Sequence, residues 1–227
     1  MKKAESWLEK TLRYRFQDAE LFRQALTHRS AGNRNNERLE FLGDAVLDFV
    51  ISEIVYRLRP DASEGDLSRL RASLVKDESL AELAVELELG EHLILGSGER
   101  KTGGHSRESI LADALEAIFG AVFLDGGFDA ATDLIEGAYE NRVRTLPDVN
   151  ELWDPKTRLQ EWLQARKFAL PNYELVNVSG RDHKQTFAVT CTVAEKSAKT
   201  EGESTTRRKA EQNAARRMIE LLTGTEQ

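Results

Sequence analysis

Apolar residues recur at three- and four-residue steps through the first two thirds of the chain, the period of a helix with one buried face. Trp7, Leu8, Leu12, Phe16, Leu21, Phe22, Ala25 and Leu26 form the first stripe, and Asp18 is placed to cap a second helix ending near Leu26. A polar turn over residues 31–36 follows, with Asn36 placed to cap the next helix. That helix carries Leu39, Leu42, Val46, Val50 and Ile54 and is stopped by Pro60. Ser63 and Asp66 make an imperfect capping box for a helix that turns Leu67, Leu70, Leu74 and Val75 inward. A helix over residues 77–87 leads into a glycine-rich loop punctuated by Gly90, Gly96, Gly98, Gly103 and Gly104. With Arg100, Lys101, His105 and Arg107, this loop reads equally as a substrate contact or as a mobile connector. Residues 109–124 form a strongly apolar helix, and residues 129–144 a last one.

The period then changes. Residues 145–154 are polar and contain Pro147, which reads as a linker. Residues 155–166 are helical, with Leu159, Trp162 and Leu163 inward. After Pro171, residues 173–178, 185–193 and 198–202 read as strands. The helix opening at Arg207 would bury Ala210, Ala214, Ala215, Met218, Ile219 and Leu222. The pattern predicts an all-α N-terminal domain over residues 1–146, a linker over 147–153 and a small α+β domain, α-β-β-β-α, over 154–223.

Composition narrows the function classes. At 227 residues and 40% hydrophobic, the chain is long enough for two modest domains. No apolar run approaches the roughly 18 residues of a membrane span, and the first residues lack the apolar core of a secretion signal. The single cysteine, Cys191, excludes an internal disulfide or a cysteine metal cluster and reads as a small buried strand residue. A cytoplasmic protein is expected. The net charge of −7 is uneven: residues 1–147 hold 19 Lys+Arg against 27 Asp+Glu, whereas residues 148–227 hold 13 against 12. Local patches rather than the total decide whether a polyanion binds.

The candidate chemistry lies in the acids. Glu37, Glu40 and Asp44 occupy i, i+3 and i+7 of one helix and fall within a narrow arc. Such an arc can be a solvated face, but this one borders strongly apolar residues. Gly43 interrupts the same helix at about 1 kcal/mol against alanine, which points to close approach of another segment. In the helix over residues 109–124, Asp113 and Glu116 are the only acids, at i and i+3. Carboxylates in so apolar a setting are expensive unless paired or bound to a cation. If the two helices pack together, Glu40, Asp44, Asp113 and Glu116 converge as a hard-cation site suited to phosphoryl transfer. His28 reads as a hydrogen-bonded structural histidine rather than a ligand contact, and Glu64 as a helix-start acid that favours the dipole.

The run Glu37-Arg38-Leu39-Glu40-Phe41-Leu42-Gly43-Asp44-Ala45-Val46-Leu47 resembles the signature of the ribonuclease III family. Glu64-Gly65-Asp66-Leu67-Ser68 and Glu108-Ser109-Ile110-Leu111-Ala112-Asp113-Ala114-Leu115-Glu116-Ala117 resemble that family's two other blocks, and residues 154–223 resemble a double-stranded-RNA-binding domain. The resemblance implies a homodimeric endonuclease that cuts double-stranded RNA with Mg²⁺, or Mn²⁺ in its place, leaving 5′-phosphate and 3′-hydroxyl ends with short 3′ overhangs. It implies work on ribosomal and messenger RNA precursors, with no membrane partner. Glu40, Asp44, Asp113 and Glu116 become the metal ligands, with Asp44 and Glu116 catalytic. Glu37 and Glu64 match positions at the cleft or subunit contact, and Phe41 matches a residue that plugs the partner subunit. Thr157, Gln160, Glu161, His183, Arg207, Arg208 and Lys209 match RNA-contacting positions, the last three at a helix start where backbone N–H groups add to the cations. Glu211 stands where the wider RNA-binding pattern often has a base, and Glu203 adds an acid nearby, which implies modest intrinsic RNA affinity. Linked modules in a dimer could offset it. The competing readings are a catalytically inactive double-stranded-RNA-binding regulator or chaperone on the same scaffold, and a helical metal-binding protein without RNA. The second leaves residues 154–223 unexplained, and the first leaves the retained acids without a purpose.

Overall fold

Two helices with glycine at their crossing organise the first part of the chain. In the computed structural model, which describes residues 1–147, 153–180 and 185–224, the chain divides into two units, Met1–Val149 and Asn150–Gln227. The first unit contains α1 (Lys2–Thr11), α2 (Ala19–Ala25), α3 (Glu37–Leu58), α4 (Glu64–Val75), α5 (Asp77–Glu86), α6 (Ser97–Lys101) and α7 (Glu108–Arg144). The packing of α3 on α7 is its most extensive interface, with α5 on the same long helix. Leu47, Val50, Ile51, Leu80, Leu111, Leu115, Ile118 and Phe119 fill that core and are almost fully buried. At about 25 cal/mol per Å², each such side chain contributes roughly 1.5–3 kcal/mol on leaving water.

Gly43 and Gly120 explain the crossing. A Cβ on Gly43 would overlap the backbone carbonyl of Glu116, and one on Gly120 would overlap the carbonyl of Leu39. The glycine that the sequence places inside α3 therefore meets the backbone of α7, whose Glu116 it touches. Helices this close set side chains one turn from the crossing against each other, which is where the acids sit.

Local chemistry shapes the ends. Asp18 caps α2 by accepting hydrogen bonds from the N–H groups of Glu20 and Leu21. Ser63 Oγ accepts from Asp66 N–H at 3.3 Å and donates to its carboxylate at 2.8 Å. Asn36 does occupy the cap position of α3, but its side chain makes no cap bond; Asn35 Oδ1 accepts the Glu37 N–H at 3.1 Å instead. Residues 109–124 and 129–144 are the two helical halves of α7, separated by a kink at Gly127, whose φ of +84° an L side chain rarely adopts. Within the glycine-rich loop lie the short α6 and a 3₁₀ turn at Gly104–Ser106.

The second unit contains α8 (Pro155–Ala165), β1 (Asn172–Ser179), β2 (Thr186–Val193), β3 (Ala198–Ser204) and α9 (Arg207–Gly224). Its antiparallel sheet has the order β1-β2-β3, with a register shift between Leu175 and Asn177. Leu159, Leu163, Cys191, Val193, Ala214, Ala215 and Met218 form its core, and Cys191 is a free buried thiol. This is the expected α-β-β-β-α order. Among the described residues no helix is long and apolar enough to cross a membrane.

Substituting Gly43→Ala should lower stability despite the better helix propensity of alanine. The obstruction is backbone, so overpacking of about 1–3 kcal/mol outweighs a gain of about 1 kcal/mol. Thermal unfolding checks this: a melting temperature equal to or above the parent's would remove the close crossing from the account.

Candidate active site

The acids of α3 and α7 meet beside the glycine crossing. One carboxylate oxygen each from Glu40, Asp113 and Glu116 lie within 4.8 Å of one another, and all three residues are half-buried. Asp44, one turn along α3 from Glu40 and exposed, stands outside that trio. Its charge nevertheless reaches Glu116, where it is the strongest of the neighbouring carboxylates. Thus three of the four expected carboxylates converge directly, and the fourth borders them.

The electrostatics follow from this crowding. Burial first, then the charges of Asp44, Glu40, Asp113 and Asp77, push the Glu116 carboxyl up from 4.5 to about 8. Burial and the Asp113, Glu37 and Asp44 carboxylates also raise Glu40, against the lowering effect of Arg29. Asp113 is raised by burial and by Asp77, while His28 and Arg29 pull it down. Asp44 is raised by burial and by Asp48. Two nearby bases therefore offset only part of the cost, and the site favours either protons or a cation.

A cavity of about 350 Å³ opens on this cluster, lined by His28, Arg29, Glu37, Glu40, Arg107 and Asp113 among others. His28 takes the structural role that its sequence context suggested: its Nδ1 accepts the Ser30 N–H and caps the 3₁₀ turn Arg29–Ala31. The backbone from Leu26 to His28 pairs with Ile94, which fixes that turn beside the acids. Glu37, the first residue of α3, accepts from Asn35 Nδ2 at 3.0 Å and lies 3.8 Å from Arg29. Glu64 opens α4, is exposed and belongs neither to the trio nor to the cavity lining. A groove of about 730 Å³ lined by Arg13, Tyr14 and Glu136 is larger, but it contains none of the clustered carboxylates.

Phe41 is 81% exposed on α3, with Phe49 and Tyr56 exposed further along the same helix. In the second unit Thr157, Gln160 and Glu161 are exposed at i, i+3 and i+4 of α8. Arg207, Arg208 and Lys209 are exposed in the first turn of α9, where Thr206 Oγ1 accepts the Lys209 N–H at 3.3 Å. His183 lies outside the described residues.

Arg29 and Asp77 escaped the sequence reading. Asp77 lies far along the chain from Glu116, and no spacing rule joins them. Glu211 departs from the wider RNA-binding pattern, and its i, i+4 relation to Arg207 is legible in the sequence as well.

Comparison with known proteins settles the family. Residues 18–143 match the model of a ribonuclease-III-like domain, and residues 155–222 match that of the double-stranded RNA binding motif. The chain is 56% identical to Ribonuclease 3 of Nitrosococcus oceani over 213 residues, 93% of this chain and 91% of that one. It is 54% identical to Ribonuclease 3 of Alkalilimnicola ehrlichii over 215 residues, 95% of this chain and 94% of that one. The chain belongs to the ribonuclease III family. The crystal structure of the ribonuclease III nuclease domain from Campylobacter jejuni superposes with a TM-score of 0.57 at 46% identity, covering 60% of this chain and 94% of that one. Family membership, with an RNA-binding motif on the same chain, makes this ribonuclease III a double-stranded-RNA endoribonuclease whose acidic cluster can bind a divalent metal.

The raised carboxyl of Glu116 predicts how pH acts on the metal-free enzyme. Between 4.5 and about 8 the folded state keeps a proton that the unfolded chain has released, so stability falls as pH rises through this window. Glu116→Gln has no such proton, and its melting temperature should fall less between about pH 5 and 8. Parallel melting curves for the two proteins would contradict this.

Proposed function

We propose that this ribonuclease III hydrolyses duplex RNA with Mg²⁺, or Mn²⁺ in its place, held by Glu40, Asp44, Asp113 and Glu116. The convergence of three half-buried carboxylates from two helices supports this reading above all else. Oxygens around one Mg²⁺ at about 2.1 Å are at most about 4.2 Å apart, so a small side-chain adjustment closes the trio onto one ion. The donors are all hard oxygens, which suits Mg²⁺ and Mn²⁺ over softer metals. When bound, the cation neutralises phosphoryl oxygens and supports an activated water at neutral pH. The chain's residues do the rest. Glu40 and Asp113 fix the donor geometry from opposite helices. Glu116 gives up its proton as the site fills. Asp44, exposed at the edge, orients the attacking water through its carboxylate. The expected products carry 5′-phosphate and 3′-hydroxyl ends with short 3′ overhangs.

The working form is a homodimer, giving one such site per RNA strand. The exposed Phe41, Phe49 and Tyr56 of α3 support it, because a monomer gains nothing by leaving three aromatics of one helix in water. A second Campylobacter jejuni nuclease-domain structure, at 47% identity and a TM-score of 0.57, is described by a flexible region involved in dimer formation. In the dimer Glu37 and Glu64 stand at the cleft, Glu64 as an exposed helix-start acid. We assign residues 1–146 to catalysis, 147–153 to the linker and 154–223 to RNA binding. Thr157, Gln160, Glu161, Arg207, Arg208 and Lys209 grip the duplex by shape and charge, together with His183. The setting is cytoplasmic processing of ribosomal and messenger RNA precursors.

Uniform duplex RNA incubated with Mg²⁺ tests the catalytic assignment. Glu116→Ala should cut slower by on the order of 10²–10³ while retaining RNA binding. Binding without cleavage by the parent protein under any divalent metal would leave an RNA-binding regulator instead. Sedimentation tests the dimer: Phe41→Ala should weaken association by about 2 kcal/mol, roughly thirtyfold. An unchanged association constant would remove Phe41 from the interface.

A further inference from the structure

Two carboxylates, Glu211 and Asp154, tie the start of α9 back to its own unit. Glu211 Oε2 lies 2.6 Å from Lys156 Nζ, and its Oε1 lies 3.0 Å from Arg207 Nε. Lys156 is held a second time, with its ammonium 4.5 Å from the centre of the Tyr173 ring. The Glu211 side chain is only 14% exposed, whereas that of Arg207 is 59% exposed. A neighbouring clamp fixes the arrangement: Asp154 caps α8 and accepts from Gln212 Nε2 at 2.8 Å, joining the two helix starts. Arg208 and Lys209 make no ion pair among the described residues.

We infer that Glu211 is an affinity-setting residue that competes with RNA phosphates for Arg207, so that Arg207 adds less to the grip than its exposed neighbours Arg208 and Lys209. This rests on the reading of the α9 start as an RNA-contacting surface. The physical argument is competition. Glu211 takes only the Nε–H of Arg207, so a phosphate that binds the terminal N–H groups shares the guanidinium with a carboxylate whose charge repels it, and binds more weakly than it would to a free arginine. Burial opposes ionisation of Glu211, but hydrogen bonds from Lys156 and Arg207 outweigh it and hold the carboxyl below its ordinary range. The competitor therefore stays charged wherever RNA binds. Lys156 has the Tyr173 ring as a second partner, so Arg207 is the base that removal of Glu211 should release most fully. A ribonuclease that binds duplexes by shape gains turnover and site discrimination from moderate affinity, since uniform tight binding does not speed the chemical step.

The test uses the full chain without divalent metal, so that binding of a labelled RNA duplex is read without cleavage. Glu211→Gln keeps the shape and removes the charge. It should bind more tightly, and its plot of log affinity against log salt should steepen by about 0.9, one additional phosphate. The advantage over the parent should shrink about threefold to fourfold between about 50 and 200 mM salt. Adding Arg207→Gln should cancel the gain, and Arg207→Gln should weaken the Glu211→Gln protein more than it weakens the parent. An unchanged slope, weaker binding, or a gain that survives loss of Arg207 would overturn the inference. A melting temperature below the parent's with no change in slope would likewise mark Glu211 as a structural clamp alone. Arg208→Gln with Lys209→Gln separates this failure from failure of the underlying reading. If that pair weakens binding while Glu211→Gln leaves it unchanged, only the inference falls. If the pair has no effect, the α9 start does not contact RNA, and both fall.

Discussion

Repulsion among half-buried carboxylates is the constraint on which the first unit depends. Glu40, Asp113 and Glu116 are forced within 4.8 Å by the crossing of α3 and α7. That crossing is set by packing: Gly43 lies against the Glu116 carbonyl, and Gly120 against that of Leu39. The apolar core around Leu47, Ile51, Leu115 and Phe119 holds the helices there whatever the acids prefer. The free energy of that core maintains a local arrangement that would otherwise separate. The result is a site that favours a proton or a cation, and a cation is what phosphodiester hydrolysis can use.

The second unit handles charge in the opposite way. There Asp154 and Glu211 are partnered rather than crowded. Asp154 caps α8, and Glu211 takes Lys156 and Arg207. Opposite charges at the two helix starts build a rigid surface whose exposed polar and basic residues face outward. A duplex presents a regular phosphate lattice, and a rigid surface can match it without reading bases. One unit thus stores electrostatic tension for chemistry, and the other neutralises it for recognition.

Much of this was legible in the sequence because periodicity, burial and chemistry agree there. Asp113 and Glu116 stand out as the only acids in an apolar helix, and Gly43 signals a close approach that the fold confirms. Less was legible where partners are distant or alternatives equivalent. Asp77 and Arg29 tune Glu116, Glu40 and Asp113 from other elements, and no spacing rule joins them. Asn35 and Asn36 are chemically equal as caps, and only the local backbone selects Asn35. Asp44 shares the arc of Glu40 in sequence, yet exposure keeps it at the edge of the trio.

Proton release on metal binding tests the central claim most directly. Titration calorimetry of the full chain with Mn²⁺ at pH 7, repeated in buffers of different ionisation enthalpy, counts the protons displaced. A Glu116 carboxyl at about 8 is mostly protonated at that pH, so filling the site should release about one proton per ion bound. Binding without proton release, or no binding at all, would contradict the account of a carboxylate cluster held protonated until a cation replaces the proton.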